Sequence, residues 1–379
     1  MKVPLSKIFI DELEINAAKE ALLSGWLAHG PKNHELEENL KSLLGVKYAV
    51  SLNSCTSALF LAIKALGLKG EIILPSFTFV ASANSIVTAG CTPRFADIEY
   101  TSCNIDPLCV EKLINKKTVG IMPVHFAGQC CVMNPLLKLV KKYDLALIED
   151  SAETLGGTFN GRQAGSYGIG CFSFFPTKNI TTGEGGALST NDKKIYSQVK
   201  ALAAHGIEST TLSRQKSKLF WRRDAAYAGY NFRMSNLLAA IGVEQIKKLK
   251  VMNSLRREKA ALYSKLLDSD LFDLPAEEKG CHHVYQMYTV KLKKTARLPF
   301  LNRLRDQDIG ASVHFDPPVH LQSFYRKYFP SREKLLVTEK VAKSIVTLPL
   351  YPGIRDENIR FVSRACNESA GCLAEKSAF

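Results

Sequence analysis

Between residue 35 and about residue 200 the chain alternates two spacings of apolar residues. "HELEENLKSLLG" carries them at helical spacing and stops at Gly45. "KYAVSLNS" reads as a short strand. "TSALFLAIKALGL" reads as a helix in which Leu59, Ile63 and Leu66 recur at three to four residues. Strands "EIILP", "TPRFADI", "VGIMPVH" and "LALIED" then alternate with helices "FVASANSIVTAG", "DPLCVEKLINK" and "NPLLKLVKKYD". Strands with continuous apolar cores between helices predict an α/β fold whose mostly parallel sheet is covered on both faces. Ligands in such folds sit at the carboxyl ends of strands, where Thr56, the stretch Pro75 to Phe79, His125 and Asp150 fall.

Farther along, "CFSFFP" and "GGALSTN" flank a loop around Lys178 like two strands. A long helix is expected over about 235–265, beginning near Ser235 and Asn236. Beyond about 270 the pattern changes to "HHVYQMYTVKLK", a helix from about 299, the segment "ASVHF" and a terminal helix. We expect a large α/β domain over 1–245 and a smaller C-terminal α+β domain over 246–379, with the boundary inside a connecting helix.

Composition narrows the classes. With 379 residues, 46% hydrophobic and 23% charged, the chain suits a soluble protein of two domains. No apolar run approaches the roughly 20 residues of a membrane helix. The N-terminal stretch has acids within its apolar run and no small-residue cleavage site, so a cytoplasmic location is expected. The ten cysteines include no C-x-x-C pair and the eight histidines no H-E-x-x-H, so no metal is expected. The formal charge of +14 is scattered, with clusters at Lys247-Lys248-Lys250, Arg222-Arg223 and Lys291-Lys293-Lys294. No nucleic-acid motif accompanies them, and the first and third are expected to be solvated faces. Neither nucleic acid nor membrane is expected as a partner.

The candidate chemistry centres on Lys178, in "SFFPTKNITTGEGG". A lysine in a polar, glycine-rich turn can have its ammonium desolvated and held near a carbonyl, the requirement for imine chemistry. Asp150 ends the apolar strand "LALIED". Pyridoxal 5'-phosphate (PLP) enzymes need both groups, a lysine for the covalent linkage and a carboxylate that keeps the pyridine nitrogen protonated. Asp150 and Glu149 are adjacent at a strand end and point to opposite faces, so only one can address a site. Thr56 and Ser57 open a helix after a strand, which makes either an anion site or a plain N-cap. Ser173 is either a second phosphate ligand or a strand hydroxyl. Phe79 is either a ring stacked on a planar ligand or a core aromatic. "GEGG" is neither a dinucleotide fingerprint nor a P-loop, and its glycines are expected to permit turns with positive φ.

Taken together these stretches resemble the DegT/DnrJ/EryC1/StrS family of PLP-dependent sugar aminotransferases. The likeness runs from "HGPKNHELEENL" through "NSCTSALFLAIKALG", "LIEDSAETLGG", "SFFPTKNITTGEGG" and "AGYNFRM" to "VHFDPPVHLQSFY". The resemblance implies PLP-dependent transferase fold type I, with a mostly parallel seven-stranded sheet between helices in the large domain. It implies Lys178 holding PLP through a Schiff base, Asp150 on the pyridinium nitrogen and Phe79 over the ring. Thr56, Ser57 and Ser173 would bind the phosphate, and Glu153 would lie on the side of the cofactor's ring oxygen. Asn231 and Arg233 match positions that reach the phosphate or substrate from a neighbouring subunit, and His320 matches a histidine lining the sugar pocket. Arg222 and Arg223 are candidates for the nucleotide diphosphate. The implied substrates are L-glutamate and a nucleotide-linked keto sugar, in a homodimer with sites at the subunit interface. A sister group catalyses C-3 dehydration of the sugar with His in place of the lysine, and Lys178 stands against that reading. A regulatory role predicts a degenerate site, whereas Lys178, Asp150, Thr56 and Ser173 are all present.

Overall fold

The computed structural model describes residues 2–208, 221, 223–331 and 333–377. Helix α1 (Glu12–Leu23) is entered through Asp11, whose carboxylate accepts from Leu13 N while Glu14 returns to Asp11 N. This capping box starts a helix that the apolar spacing does not announce, since the residues it buries beyond Glu14 are two alanines, Ala17 and Ala21. Helix α2 (Pro31–Leu44) stops at Gly45 with φ +65°, as the sequence predicts, and starts on Pro31, three residues before the apolar pattern begins.

The expected alternation follows as β1 (Tyr48–Leu52), α3 (Cys55–Ala65), β2 (Glu71–Pro75), α4 (Val80–Thr88), β3 (Thr92–Ala96), α5 (Pro107–Leu113), β4 (Thr118–Ile121), α6 (Met133–Tyr143) and β5 (Ala146–Asp150). A small ribbon, β6 (Thr158–Phe159) and β7 (Arg162–Gln163), precedes β8 (Ile169–Ser173), β9 (Gly186–Thr190) and helix α7 (Lys193–Ala203). Seven strands form the main sheet in the order β1-β9-β8-β5-β4-β2-β3. Strands β8, β5, β4, β2 and β3 pair in parallel, and β9 is antiparallel to both its neighbours. The reversal has a local cause. No helix lies between β8 and β9, so the chain cannot cross over and returns as a hairpin around Lys178.

Helix α8 (Asn236–Leu266), 31 residues long, begins at the N-cap Ser235 and links two cores. Leu249 and Met252 pack with Leu36 and Phe172 of the main sheet layer, whereas Ala260 and Tyr263 pack with the C-terminal elements. Residue 245 lies within α8, and the core changes hands between Met252 and Ala260.

Beyond it lie β10 (Phe272–Asp273), β11 (Cys281–His282), β12 (Tyr288–Leu292), α9 (Arg297–Arg305), α10 (Ser323–Tyr328), α11 (Leu336–Ser344), β13 (Ile345–Leu348) and α12 (Asp356–Ser377). Strands β10, β12 and β13 make an antiparallel sheet. "ASVHF" forms no strand; it joins that sheet through a single bridge from Ser312 to Thr347. The chain start also returns here, with Val3 bridging Ile309 and packing in the C-terminal core. No helix among the described residues is long and apolar enough to cross a membrane.

Candidate active site

The two acids at the end of β5 divide as strand geometry requires. Glu149 is fully buried and turned away from the ligand side. Its Oε1 accepts the N–H groups of Tyr167 and Gly168 at 2.7 and 2.8 Å, and its Oε2 accepts Gly165 N at 2.9 Å and lies 3.1 Å from His125 Nε2. His125 Nδ1 accepts Cys131 N, which leaves Nε2 as the donor to Glu149. His125 is thus part of the scaffold. Asp150 faces the opposite way and lines a cavity of about 480 Å³ at the carboxyl ends of the strands. It is 5% exposed, accepting Ser82 Oγ at 2.7 Å and Ala152 N at 3.2 Å. Burial holds its carboxyl above the usual carboxylate range, opposed chiefly by the Ser82 hydroxyl.

Lys178 enters the same cavity from the β8–β9 hairpin. Its Nζ lies 3.1 Å from Glu153 Oε1, with the side chain 17% exposed. Glu153 Oε2 accepts Ala127 N at 2.9 Å. Within "GEGG" the glycines serve two purposes. Gly183 adopts φ +83°, as expected. Gly186 has no positive φ; its Cβ would lie 2.4 Å from the carbonyl carbon of Ser54 and 2.5 Å from Cys55 N. A side chain at Gly186 would therefore push the start of α3 away from the sheet.

That start is where the sequence reading expects an anion. Ser54 is the N-cap, and its hydroxyl accepts Ser57 N. Thr56 is exposed and lines the cavity with Ser54, Cys55 and Ser173. Ser57 does not line it; its hydroxyl donates to Asn53 Oδ1 at 2.7 Å, which corrects its expected place beside Thr56 as a phosphate ligand. Phe79 is 62% exposed and forms part of the cavity rim, so it is no core aromatic.

One wall was not legible in the sequence. Leu5 and Ser6 from the chain start, with Gln286, Met287, His314, Phe315 and Thr347 from the C-terminal unit, also line the cavity. Gln286 Nε2 donates to Thr177 O at 2.7 Å, which ties this wall to the lysine loop. His314 Nδ1 lies 2.8 Å from Thr347 Oγ1, and burial pushes the imidazole below its ordinary range. Its spacing from "PPVH" carried no periodic signal, because its segment is neither helix nor strand.

Other expected residues lie elsewhere. His320 is buried against Ser76, with Nδ1 2.7 Å from Ser76 Oγ and Nε2 3.5 Å from Glu339; it does not line this cavity. The 3₁₀ turn Val319–Leu321, anchored by Val319 N on Ser76 O, directs it to the residue that follows β2. Arg233 and Asn231 are exposed, bonded to each other at 3.0 Å and outside the cavity. Arg223 is exposed and also outside it, and Arg222 lies outside the described residues. Lys291 is not solvated as its alternating pattern suggested. It is buried and donates to Tyr100 O at 2.8 Å.

The arrangement fits PLP. A cavity of this size takes a cofactor with substrate. It offers a lysine amine, a buried carboxylate for the ring nitrogen, an aromatic rim and a helix start for the phosphate. Comparison with known proteins agrees. Residues 9–367 match the DegT/DnrJ/EryC1/StrS aminotransferase family. Over 376 residues the chain is 36% identical to the spore coat polysaccharide biosynthesis protein SpsC of Bacillus subtilis, covering 97% of this chain and 96% of that protein. The putative sugar aminotransferase Spr1654 of Streptococcus pneumoniae, solved in its PMP form, superposes with a TM-score of 0.93 at 26% identity, over 98% of this chain and 100% of that one. DesI, solved in the presence of its TDP-sugar product, superposes with a TM-score of 0.89 at 29% identity, over 100% of this chain and 96% of that one. The protein belongs to the DegT/DnrJ/EryC1/StrS aminotransferase family and is an aminotransferase whose cofactor is pyridoxal 5'-phosphate.

Proposed function

We propose that this enzyme moves an amino group from L-glutamate to a nucleotide-linked keto-deoxyhexose, a 4-keto-6-deoxy sugar, in the synthesis of amino sugars for surface polysaccharides or glycosides. The observation that carries this reading is the convergence of Lys178, Asp150 and the start of α3 on one cavity. The TDP-sugar product of DesI and the polysaccharide role in the name of SpsC support the class of acceptor.

When bound, the cofactor supplies an electron sink that lets the donor's Cα give up a proton. Lys178 would anchor the cofactor and, once displaced by the donor, carry the proton away from that carbon as the general base. Asp150 would keep a proton on the ring nitrogen. Burial disfavours an isolated carboxylate there, and a cationic partner relieves that cost. Phe79 would cover the ring face, while Thr56, Ser173 and the N–H groups opening α3 would bind the phosphate. His314 and Gln286 would face the acceptor sugar from the C-terminal wall. One lysine then serves donor and acceptor in turn, which gives ping-pong kinetics.

We further propose a homodimer. Among the described residues lining the cavity, Lys178 is the sole cation, against the carboxylates Asp150, Glu153 and Glu184. Ligands that carry phosphate, diphosphate and carboxylate groups need more positive charge than that. A second copy would supply it through Arg233 and the Arg222-Arg223 pair, with Asn231 beside them as a neutral hydrogen-bonding group. A cytoplasmic site of action accords with ten free cysteines, eight of them buried.

The test offers the holoenzyme L-glutamate alone and then a panel of nucleotide keto sugars. About one 2-oxoglutarate per site is expected before any acceptor is added, followed by an aminated sugar identified by mass and NMR. Absence of 2-oxoglutarate in the first half would refute the reading.

A further inference from the structure

Glu153 is fixed at both oxygens. Oε2 accepts Ala127 N at 2.9 Å, and Oε1 lies 3.1 Å from Lys178 Nζ. An ionised carboxylate accepts hydrogen bonds and donates none. The ring oxygen of the cofactor, on whose side Glu153 is expected, is itself an acceptor once ionised. Two acceptors do not bond, whereas a proton on the lysine nitrogen satisfies the carboxylate directly. Resting on the function proposed above, we infer that Glu153 holds a proton on the Lys178 nitrogen while that nitrogen is bonded to the cofactor, rather than bonding the ring oxygen.

The other ionisable groups around this pair are engaged elsewhere. Asp150, from β5, is bound by Ser82 and Ala152. Cys55, from α3, has its thiol pushed well above its ordinary range by burial, so it stays protonated and brings no charge. His314, from the C-terminal wall, is kept from charging by burial and turns Nδ1 to Thr347. Glu184 lines the cavity, but its side chain makes no bond to Lys178. Only Glu153 touches Nζ among the described residues. The consequence is chemical. A protonated nitrogen withdraws electrons from the carbon it is bonded to, which readies that carbon for attack by the donor amine. The carboxylate would thus keep the resting enzyme reactive at pH values where an unassisted linkage has lost its proton.

The visible absorbance of the lysine-linked cofactor changes when that nitrogen loses its proton, so a pH titration of the holoenzyme reads the effect. E153Q keeps an oxygen for Ala127 N but removes the charge. Its titration midpoint is expected to fall by about one to three pH units, the usual effect of losing an opposite charge in contact. E153D, with the carboxylate one methylene farther back, is expected to fall between E153Q and the wild type. A fully loaded E153Q with an unmoved midpoint overturns the assignment of Glu153 alone. Should E153Q fail to retain the cofactor, an unmoved midpoint in E153D overturns it equally. A wild type without lysine-linked absorbance, or absorbance surviving in K178A, overturns this inference together with the function it rests on.

Discussion

Replacing Glu149 by Gln separates scaffold from chemistry at the paired acids. Glu149 receives four hydrogen bonds, two at each oxygen, from Tyr167, Gly168, Gly165 and His125. An amide keeps one oxygen and presents donors where the other stood, so two of the four donors lose their acceptor in a fully buried site. Hydrogen bonds to a charged group contribute about 1.5–3 kcal/mol each, so E149Q should cost about 3–6 kcal/mol. That is a large share of the roughly 5–15 kcal/mol that holds a domain together. The neighbouring D150N should behave in the opposite sense. Asp150 opposes folding when charged, because burial raises its carboxyl, and Asn removes that charge while still accepting from Ser82 or Ala152. We expect E149Q to lower the urea midpoint of the apoprotein sharply. D150N should leave it at or above the wild-type value while abolishing transamination. Urea unfolding followed by circular dichroism, with glutamate half-reaction assays alongside, measures both. Wild-type stability in E149Q, or collapse in D150N, would refute the division of roles.

Two further outcomes follow. Phe79 is 62% exposed, so F79A should leave the fold intact. Loss of a stacked ring removes about 0.5–1.5 kcal/mol, so the cofactor's Kd should rise about 2- to 12-fold, and an unchanged Kd by fluorescence titration would exclude stacking. His283 gives an acid-sensitive term. Its Nδ1 accepts Tyr285 N, its ring stacks on Tyr285, and burial followed by Arg257 pushes it down to about 3. The unfolded chain takes up this proton near pH 6.5 and the native chain does not. Stability therefore rises with pH across that window and is lost as pH falls, by about 1.4 kcal/mol per unit. H283Q should flatten the dependence of the urea midpoint between pH 4 and 6.5, and identical slopes in both proteins would contradict the assignment.

Much of this was written in the chain. Alternating apolar strands and helices implied the sheet and placed Asp150 and Lys178 at its ligand edge, because both signals are local and periodic. Helix α1 was missed because its start rests on the Asp11–Glu14 capping box and its buried apolar stripe on two alanines. Lys291 was misread because alternation in a strand shows which residues share a face, not whether that face is covered. His320 was misplaced for a related reason. A motif fixes order along the chain, whereas the turn at Val319 decides that the imidazole meets Ser76.

By itself the sequence determined the fold class and the fact that just one of two adjacent acids could face the ligand edge, and it singled out Lys178 as the candidate for covalent chemistry. The resemblance implied that this acid is Asp150, and only the tertiary structure shows why it is not Glu149, whose oxygens are taken up by the folded loop at 165–168. Tertiary structure also brought residues 5 and 6, 286 and 314 to the cavity that Lys178 enters. Those contacts join segments hundreds of residues apart, and no local period or spacing carries information about which distant wall a chain will fold against.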